Sequence, residues 1–364
     1  MRTRIIQAQG VAEILRRVGA DALMRDMIQR LEEALLSFDP SKVSLPVRGG
    51  FAYERPNRGL IEWMPIMASG RHATLKVVGY HPHNPQAFRI PTILSTVGRY
   101  DLASGHLVGL ADATFLTALR TGAASGVASK RLAHPDATIL GLIGTGAQAV
   151  TQAHALGLCF PLSQILIHDT DTNALASFQQ RVAHLVPAGC TITPAPTDKI
   201  AETSDILCTC TSVAPGEGPV FRTTAVKPWL HINGVGADFP GKFEVPKTLL
   251  ERSQLIPDFR AQAIIEGECQ QVHEADIGPE LFKLMQQADE ESKAASSRDR
   301  VTVFDSTGYA LEDHVALDLL LTHAETLNVG DLVELESLAG DPLDPYDLGQ
   351  PAAPAARAPK AEAV

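Results

Sequence analysis

Between Val11 and Phe38 the apolar residues Val11, Ile14, Leu15, Val18, Leu23, Met27, Leu31 and Leu35 recur at helical spacing, with a break at Gly19 and a stop at Asp39-Pro40. The opening MRTRIIQAQGVAEILRR reads as the start of that amphipathic helix. It has neither the unbroken apolar run nor the small-residue cleavage site of a secretory signal. The pattern then shifts to short β-type runs. Leu60 to Pro65 and Ala73 to Val78 flank a turn at Ala68-Ser-Gly-Arg71, and Ile93 to Gly98 pairs with His106 to Leu110 across Asp101-Leu-Ala-Ser-Gly105. An antiparallel sheet is expected from these runs. A helix rich in small residues is expected over Ala111 to His134.

After His134-Pro135-Asp136 the segments alternate. Strands at Ala137–Ile143, Gln164–Asp169, Ile206–Thr211 and Trp229–Asn233 interleave with helices at Ala147–Leu158 and Asn173–Leu185, as in βαβ units with a parallel sheet. A last strand near Val301–Phe304 leads into a helix over Ala310 to Asn328 that could return to the first unit. The fold class is therefore α/β: a Rossmann-type dinucleotide-binding domain over 126–310, plus an α+β substrate-binding and dimerisation domain from 1–125 and 311–348. The Pro/Ala-rich residues 349–364 are expected to be a disordered tail.

Composition narrows the function. The chain has 364 residues, with 31 Lys plus Arg against 42 Asp plus Glu and a net charge of -11, which repels a nucleic-acid backbone. No apolar run approaches the roughly 20 residues of a membrane span. Five cysteines, an odd count without a CxxC pair, suit reduced thiols in a cytoplasm, with neither disulfide nor zinc expected. Cys208-Thr-Cys210 reads as strand core and not as a redox pair. His81 and His83 lack partner ligands and read as loop or dimer-interface residues, so no metal site is expected.

The chemistry-bearing motif is Gly144-Thr-Gly146-Ala-Gln-Ala149, which follows a strand and opens a helix, with Asp169 ending the next strand. Gly144 suits a tight turn, Gly146 lets a pyrophosphate approach the backbone, and the helix N-terminus offers amide donors to that anion. Asp169 would accept from a ribose 2′-hydroxyl and repel a 2′-phosphate. No Lys or Arg lies between it and Gln180, so NAD is expected over NADP. Lys76 in an apolar β run and Arg120 on a helix of small residues look misplaced in a core. An amino acid carboxylate would satisfy both; the alternative is a snorkelling lysine and an arginine in an internal ion pair. Asp238, just past a strand end, sits where doubly wound folds bind ligands, although a helix-capping turn would also use an Asp there.

Several runs carry a resemblance: Gly59-Leu-Ile-Glu-Trp-Met-Pro65, Gly79-Tyr-His-Pro-His-Asn84, Leu116-Thr-Ala-Leu-Arg-Thr-Gly-Ala123, Ile143-Gly-Thr-Gly-Ala-Gln148, His231 to Lys242, and Phe304-Asp-Ser-Thr-Gly308. In this order they resemble the ornithine cyclodeaminase/μ-crystallin family over roughly residues 45 to 330. Glu62 and the Asp238-to-Lys242 run look more like its ornithine cyclodeaminases than its μ-crystallin or alanine dehydrogenase members. The resemblance implies a lyase of amino acid metabolism and proline biosynthesis. It would turn L-ornithine into L-proline and ammonia with catalytic NAD. An NAD(P)-dependent amino acid dehydrogenase or ketimine reductase is the alternative. It assigns Lys76 and Arg120 to the substrate carboxylate, Glu62 to an amino group and Asp238 to acid/base work. Arg48 joins them as the upstream carboxylate ligand, with Arg55 in reserve. Thr92, Arg120, Gly144, Gly146, Ala147, Gln148, Asp169, Thr211, Asn233, Gly234, Lys242 and Ser306 would line the cofactor. A homodimer or larger homo-oligomer is also implied.

Overall fold

The computed structural model describes residues 1–68, 70–287 and 300–347. The tail assigned to 349–364, and Ser69 of the first hairpin turn, lie outside the described residues. Two sheets organise the chain. The first is an eight-stranded, mainly antiparallel sheet containing β1 (Thr3–Ile6), β2 (Val43–Ser44), β3 (Gly49–Tyr53), β4 (Gly59–Ala68), β5 (His72–Tyr80), β6 (Ile93–Asp101) and β7 (Leu107–Asp112). The second is a seven-stranded, wholly parallel sheet containing β8 (Ile139–Ile143), β9 (Gln164–His168), β10 (Thr191–Pro194), β11 (Ile206–Thr209), β12 (His231–Gly234), β13 (Gln254–Pro257) and β14 (Thr302–Asp305). A final strand, β15 (Asp331–Val333), returns to the first sheet against β1.

The parallel sheet runs β10-β9-β8-β11-β12-β14-β13, the order of a doubly wound dinucleotide fold with one strand swapped at its far edge. Its crossover helices include Ala147–Cys159, Thr172–Val182 and Thr197–Thr203. In the first sheet β4 and β5 alternate strictly. Glu62, Met64, Ile66, Thr74, Lys76 and Val78 are buried on one face, while Ile61, Trp63, Met67 and Val77 are exposed on the other. The helices Ala8–Val18, Ala20–Leu36, Thr114–Leu132 and Ala310–Leu327 join the buried face in one hydrophobic core. The last of these packs on β4 and β5.

Some local expectations are corrected. The N-terminus does not open a helix: Thr3–Ile6 is a strand paired parallel to β7, and the helix starts at Ala8. Ala111 and Asp112 belong to β7, and the following helix begins at Thr114 because the β-ladder to β6 extends to Asp112. Residue 126 lies inside that helix, which packs against β6 as well as β12 and β14. No described helix is long and apolar enough to cross a membrane.

Candidate active site

The carboxyl ends of β8, β11, β12 and β14 face the buried side of β4 and β5 across a cavity of about 290 Å³. Doubly wound sheets bind ligands at this edge, because successive loops diverge there. Alternation on β4 and β5 brings Glu62, Met64, Lys76 and Val78 to the cavity wall. Helical spacing on Thr114–Leu132 adds Thr117, Arg120 and Thr121. The parallel unit contributes Gln148, Asp238, Lys242, Ser306 and Thr307.

Charges crowd this wall, and Arg48, Lys76 and Arg120 each find a partner from a distant segment. Lys76 is 1% exposed and its Nζ lies 2.7 Å from Asp313 Oδ2, yet neither atom has an aligned hydrogen bond. Burial lowers the Lys76 ammonium to about 8, with Asp313 opposing that fall. Arg120 Nη1 donates to Glu312 Oε2 at 2.6 Å, while its Nε stays without a partner, 3.3 Å from Asp313 Oδ1. Gly308 has φ +74°, and a Cβ there would collide with the Arg120 guanidinium. The arginine is thereby packed against the Ser306–Gly308 turn. Arg48 Nε donates to Glu266 Oε1, its Nη2 donates to the Thr307 carbonyl at 2.9 Å, and its Nη1 lies 3.4 Å from Glu62 Oε2. Arg48 thus straps the first sheet to the parallel unit.

The carboxyls respond to burial. Desolvation raises Glu62, and it lifts Glu266 and Glu312 to about 8 each despite the arginines beside them. Asp238 is the exception in exposure, with about a third of its side chain open. Its Oδ1 accepts from Lys242 Nζ at 2.8 Å, and that ammonium also stands 5.4 Å from the Tyr80 ring centroid. Burial disfavours charge on Lys242, but Asp238 and Tyr80 outweigh it and raise its pKa.

The glycine loop meets the needs of a dinucleotide. Gly144 has φ +94°, and a Cβ there would strike the Cys210 carbonyl oxygen. Gly146 is exposed with open space around its missing side chain, and as the helix N-cap it leaves the first-turn amides without a side-chain acceptor. Asp169, directly after β9, accepts from Thr145 N at 2.6 Å and Thr145 Oγ1 at 2.8 Å through Oδ2. Arg181, one residue beyond the window read in the sequence, donates to the Thr145 and Ala174 carbonyls. Ser306 Oγ is buried, lines the cavity and lacks a partner. These residues fit a dinucleotide laid from Asp169 across the loop toward Ser306.

Residues 9–326 match the ornithine cyclodeaminase/mu-crystallin family. This chain belongs to that family. Its similarity to the L-lysine cyclodeaminase of Streptomyces rapamycinicus is 43% identity over 350 residues, covering 96% of this chain and 100% of the relative. A solved structure described as the basis for recognition of L-lysine, L-ornithine and L-2,4-diaminobutyric acid by lysine cyclodeaminase superposes with TM-score 0.91 at 47% identity, covering 96% of this chain and 100% of that one. An archaeal alanine dehydrogenase dimer with bound NAD superposes with TM-score 0.80 at 27% identity, covering 92% and 100%. The family includes both cyclodeaminases and NAD-dependent reductases, so membership does not decide the substrate.

Of the residues expected in a family site, Arg48, Glu62, Lys76, Arg120, Gln148, Asp238, Lys242 and Ser306 line one cavity. Gly144, Gly146, Ala147 and Asp169 form the adjoining loop and strand end. The remaining four belong neither to the cavity wall nor to that loop and strand end. Asn233 is fully buried and its amide donates to Ser129 Oγ, on the helix packed against β12. Gly234, also buried, backs onto Glu268. Thr211 spends both its N–H and its hydroxyl on Glu244, and the cavity is lined instead by Ser212 to Pro215. Thr92 lies one residue before Ile93, which does reach the wall. Arg55 is exposed and is not among the lining residues, although Glu54 beside it is, whereas Arg48 lines the cavity. His83, read as a loop or interface residue, lines the cavity, while His81 Nε2 sits 2.7 Å from the Tyr53 hydroxyl. The sequence reading missed Glu266, Thr307, Glu312 and Asp313. Two adjacent acids in the first turn of a helix otherwise as buried as Ala310–Leu327 were the available signal, since such carboxylates require cations.

Proposed function

We propose that the chain is an NAD-dependent cyclodeaminase of basic L-α,ω-diamino acids, closing them to a cyclic amino acid with release of ammonia. The motifs point to L-ornithine, giving L-proline. The full-length likeness to L-lysine cyclodeaminase supports L-lysine, giving L-pipecolate, as the first substrate to test. The observation that carries the reading is the meeting of Lys76, Arg120 and Asp238 in one cavity beside the Gly144–Gly146 loop.

Lys76 Nζ and Arg120 Nε, both buried and without aligned acceptors, would hold the α-carboxylate. Glu62 would receive an amino group. NAD, held by Gly144, Gly146, Gln148 and Asp169, would supply reversible hydride acceptance at the substrate Cα. In ring closure the terminal nitrogen bonds to Cα and the bond from Cα to the α-nitrogen breaks. Asp238 takes a proton from the incoming nitrogen and gives one to the outgoing nitrogen, so the carboxyl ends as it began and ammonia leaves. Lys242 occupies Oδ1 of Asp238 and leaves Oδ2 for this exchange. Tethering both amines in one molecule favours closure entropically. The exposed apolar face of β4 to β6 supports a homodimer built on that face.

The test is incubation with L-lysine, L-ornithine or L-alanine at NAD below the substrate concentration. With L-lysine or L-ornithine, ammonia and cyclic product should form in equal amounts, exceeding the NAD present, without net NADH, whereas L-alanine, which has no second amine, should give neither. NADH accumulating in step with product would overturn the reading in favour of a dehydrogenase.

A further inference from the structure

The loop that carries Asp238 is held at its base by a buried carboxylate with no part in the chemistry above. Glu244 is fully buried. Its Oε1 accepts from Thr211 N at 2.7 Å and Thr211 Oγ1 at 2.6 Å, and its Oε2 accepts from Gly236 N at 2.9 Å. Gly236 precedes Asp238 by two residues, and a Cβ on it would overlap the Glu244 carboxylate. Thr211 begins the turn whose residues Ser212 to Pro215 line the opposite side of the cavity. Glu268 Oε1 in turn accepts from Glu244 N at 2.8 Å, and Asp305 accepts from Glu268 N and Cys269 N, so the support reaches the strand end before Ser306.

We propose that Glu244 is a positioning residue, whose single carboxylate joins the Gly236–Lys242 loop to the Thr211–Pro215 turn and so sets where Asp238 stands in the site. A carboxylate is the group this junction needs, because all three partners are donors. An amide offers one acceptor oxygen, and its NH₂ would then face either the Gly236 or the Thr211 donors. Burial raises the pKa of Glu244, consistent with the cost of keeping that acceptor inside the fold.

This inference rests on the proposed role of Asp238, so its test reads the loop and the turnover separately. Glu244→Gln should raise amide hydrogen exchange of residues 209–215 and 234–244 at least tenfold, leave exchange elsewhere unchanged, and lower kcat at least tenfold. Gly236→Ala, which pushes on the same carboxylate from the other side, should show the same defect. The double variant should be no worse than either single one, as expected of two changes at one junction. Unchanged exchange in both single variants overturns the proposal whatever the activity. Raised exchange with kcat within twofold of the parent enzyme also overturns it. If Glu244→Gln does not fold, Gly236→Ala and Thr211→Val decide by the same measurements. A parent enzyme that closes no diamino acid overturns the cyclodeaminase reading instead, and the exchange data still decide whether Glu244 holds the loop.

Discussion

Lys76 Nζ on β5 lies 2.7 Å from Asp313 Oδ2 on the helix Ala310–Leu327, but the two are out of line for a hydrogen bond. The pair is coulombic, and the ammonium keeps its donors for another acceptor. Arg120 repeats the arrangement, with Nη1 satisfied by Glu312 and Nε idle. The sequence left two readings open for these cations: a substrate carboxylate for both, or a snorkelling Lys76 and an Arg120 in an internal ion pair. The structure shows both in ion pairs, Lys76 included. The proposed role is compatible with those pairs, because each offsets the cost of burial and leaves Lys76 Nζ and Arg120 Nε without an aligned acceptor.

A pH dependence follows from Lys76. Its pKa is lowered to about 8 by burial, so the ammonium that holds a carboxylate is present below that pH and lost as pH rises through it. Inhibition by an aliphatic monocarboxylate such as valerate, which carries no titrating amine, should weaken above about pH 8. Asp313 raises the Lys76 pKa, so Asp313→Asn should move this loss to lower pH. Lys76→Met should weaken valerate binding ten- to a hundredfold, from roughly 1.5–3 kcal/mol for a charge-assisted hydrogen bond. Inhibition constants flat across pH 8 in the parent enzyme would remove Lys76 from the carboxylate site.

Asp238→Asn keeps the shape of the side chain but removes its ability to take a proton. Turnover should fall by about 10²–10⁴, the usual worth of general acid–base catalysis, while the dissociation constant for NAD stays within about threefold. Lys242 would lose the charge that raises its pKa, so its titration should move down. Ammonia release and calorimetric titration with NAD check the two halves. Undiminished ammonia release would exclude Asp238 from the mechanism.

Local pattern made much of this site legible. Period-two alternation puts Glu62 and Lys76 on the face opposite Trp63 and Val77, and the glycine loop with Asp169 was readable from strand, turn and helix signals. The partners were not readable, because they depend on folding over long sequence distances. Arg48 reaches Glu266 and Thr307 across separations of 218 and 259 residues, and nothing near Arg48 announces either one. Strand β1 was lost to the helical pattern that follows it, since four residues cannot display a period. The resemblance carried Asn233 and Thr211 to the cofactor, but their side-chain bonds turn inward to Ser129 and Glu244.

The two loop glycines should separate folding from cofactor binding. Gly144 has φ +94° and a Cβ there would meet the Cys210 carbonyl, so Gly144→Ala should lower thermal stability. Gly146 has φ -74° and nothing within 4 Å of the place a methyl group would take, so Gly146→Ala should leave stability unchanged. That methyl would instead project into the space a pyrophosphate needs, and NAD affinity should fall at least tenfold. Melting temperature and NAD titration of the two variants form the comparison. Gly146→Ala with normal NAD affinity would mean that the phosphates do not pass over this loop.

The outward face of the first sheet bears on assembly. Trp63 and Val77 are register partners on β4 and β5, and Ile61, Met67, Leu94 and Tyr100 extend the same exposed apolar surface. A patch of this kind is stabilised when a second surface removes it from water. A second copy of the chain would supply the same patch through a two-fold axis, and such a contact would close as a dimer. Val77 points away from the protein's own core, so Val77→Lys should leave the monomer folded. It would also place two charges in the middle of the interface, where burying each without a partner costs several kcal/mol. Sedimentation should find the parent chain as a dimer or a larger even assembly and Val77→Lys as a folded monomer. A parent chain that sediments as a monomer, or a Val77→Lys variant of unchanged assembly, would place the subunit contact elsewhere or abolish it.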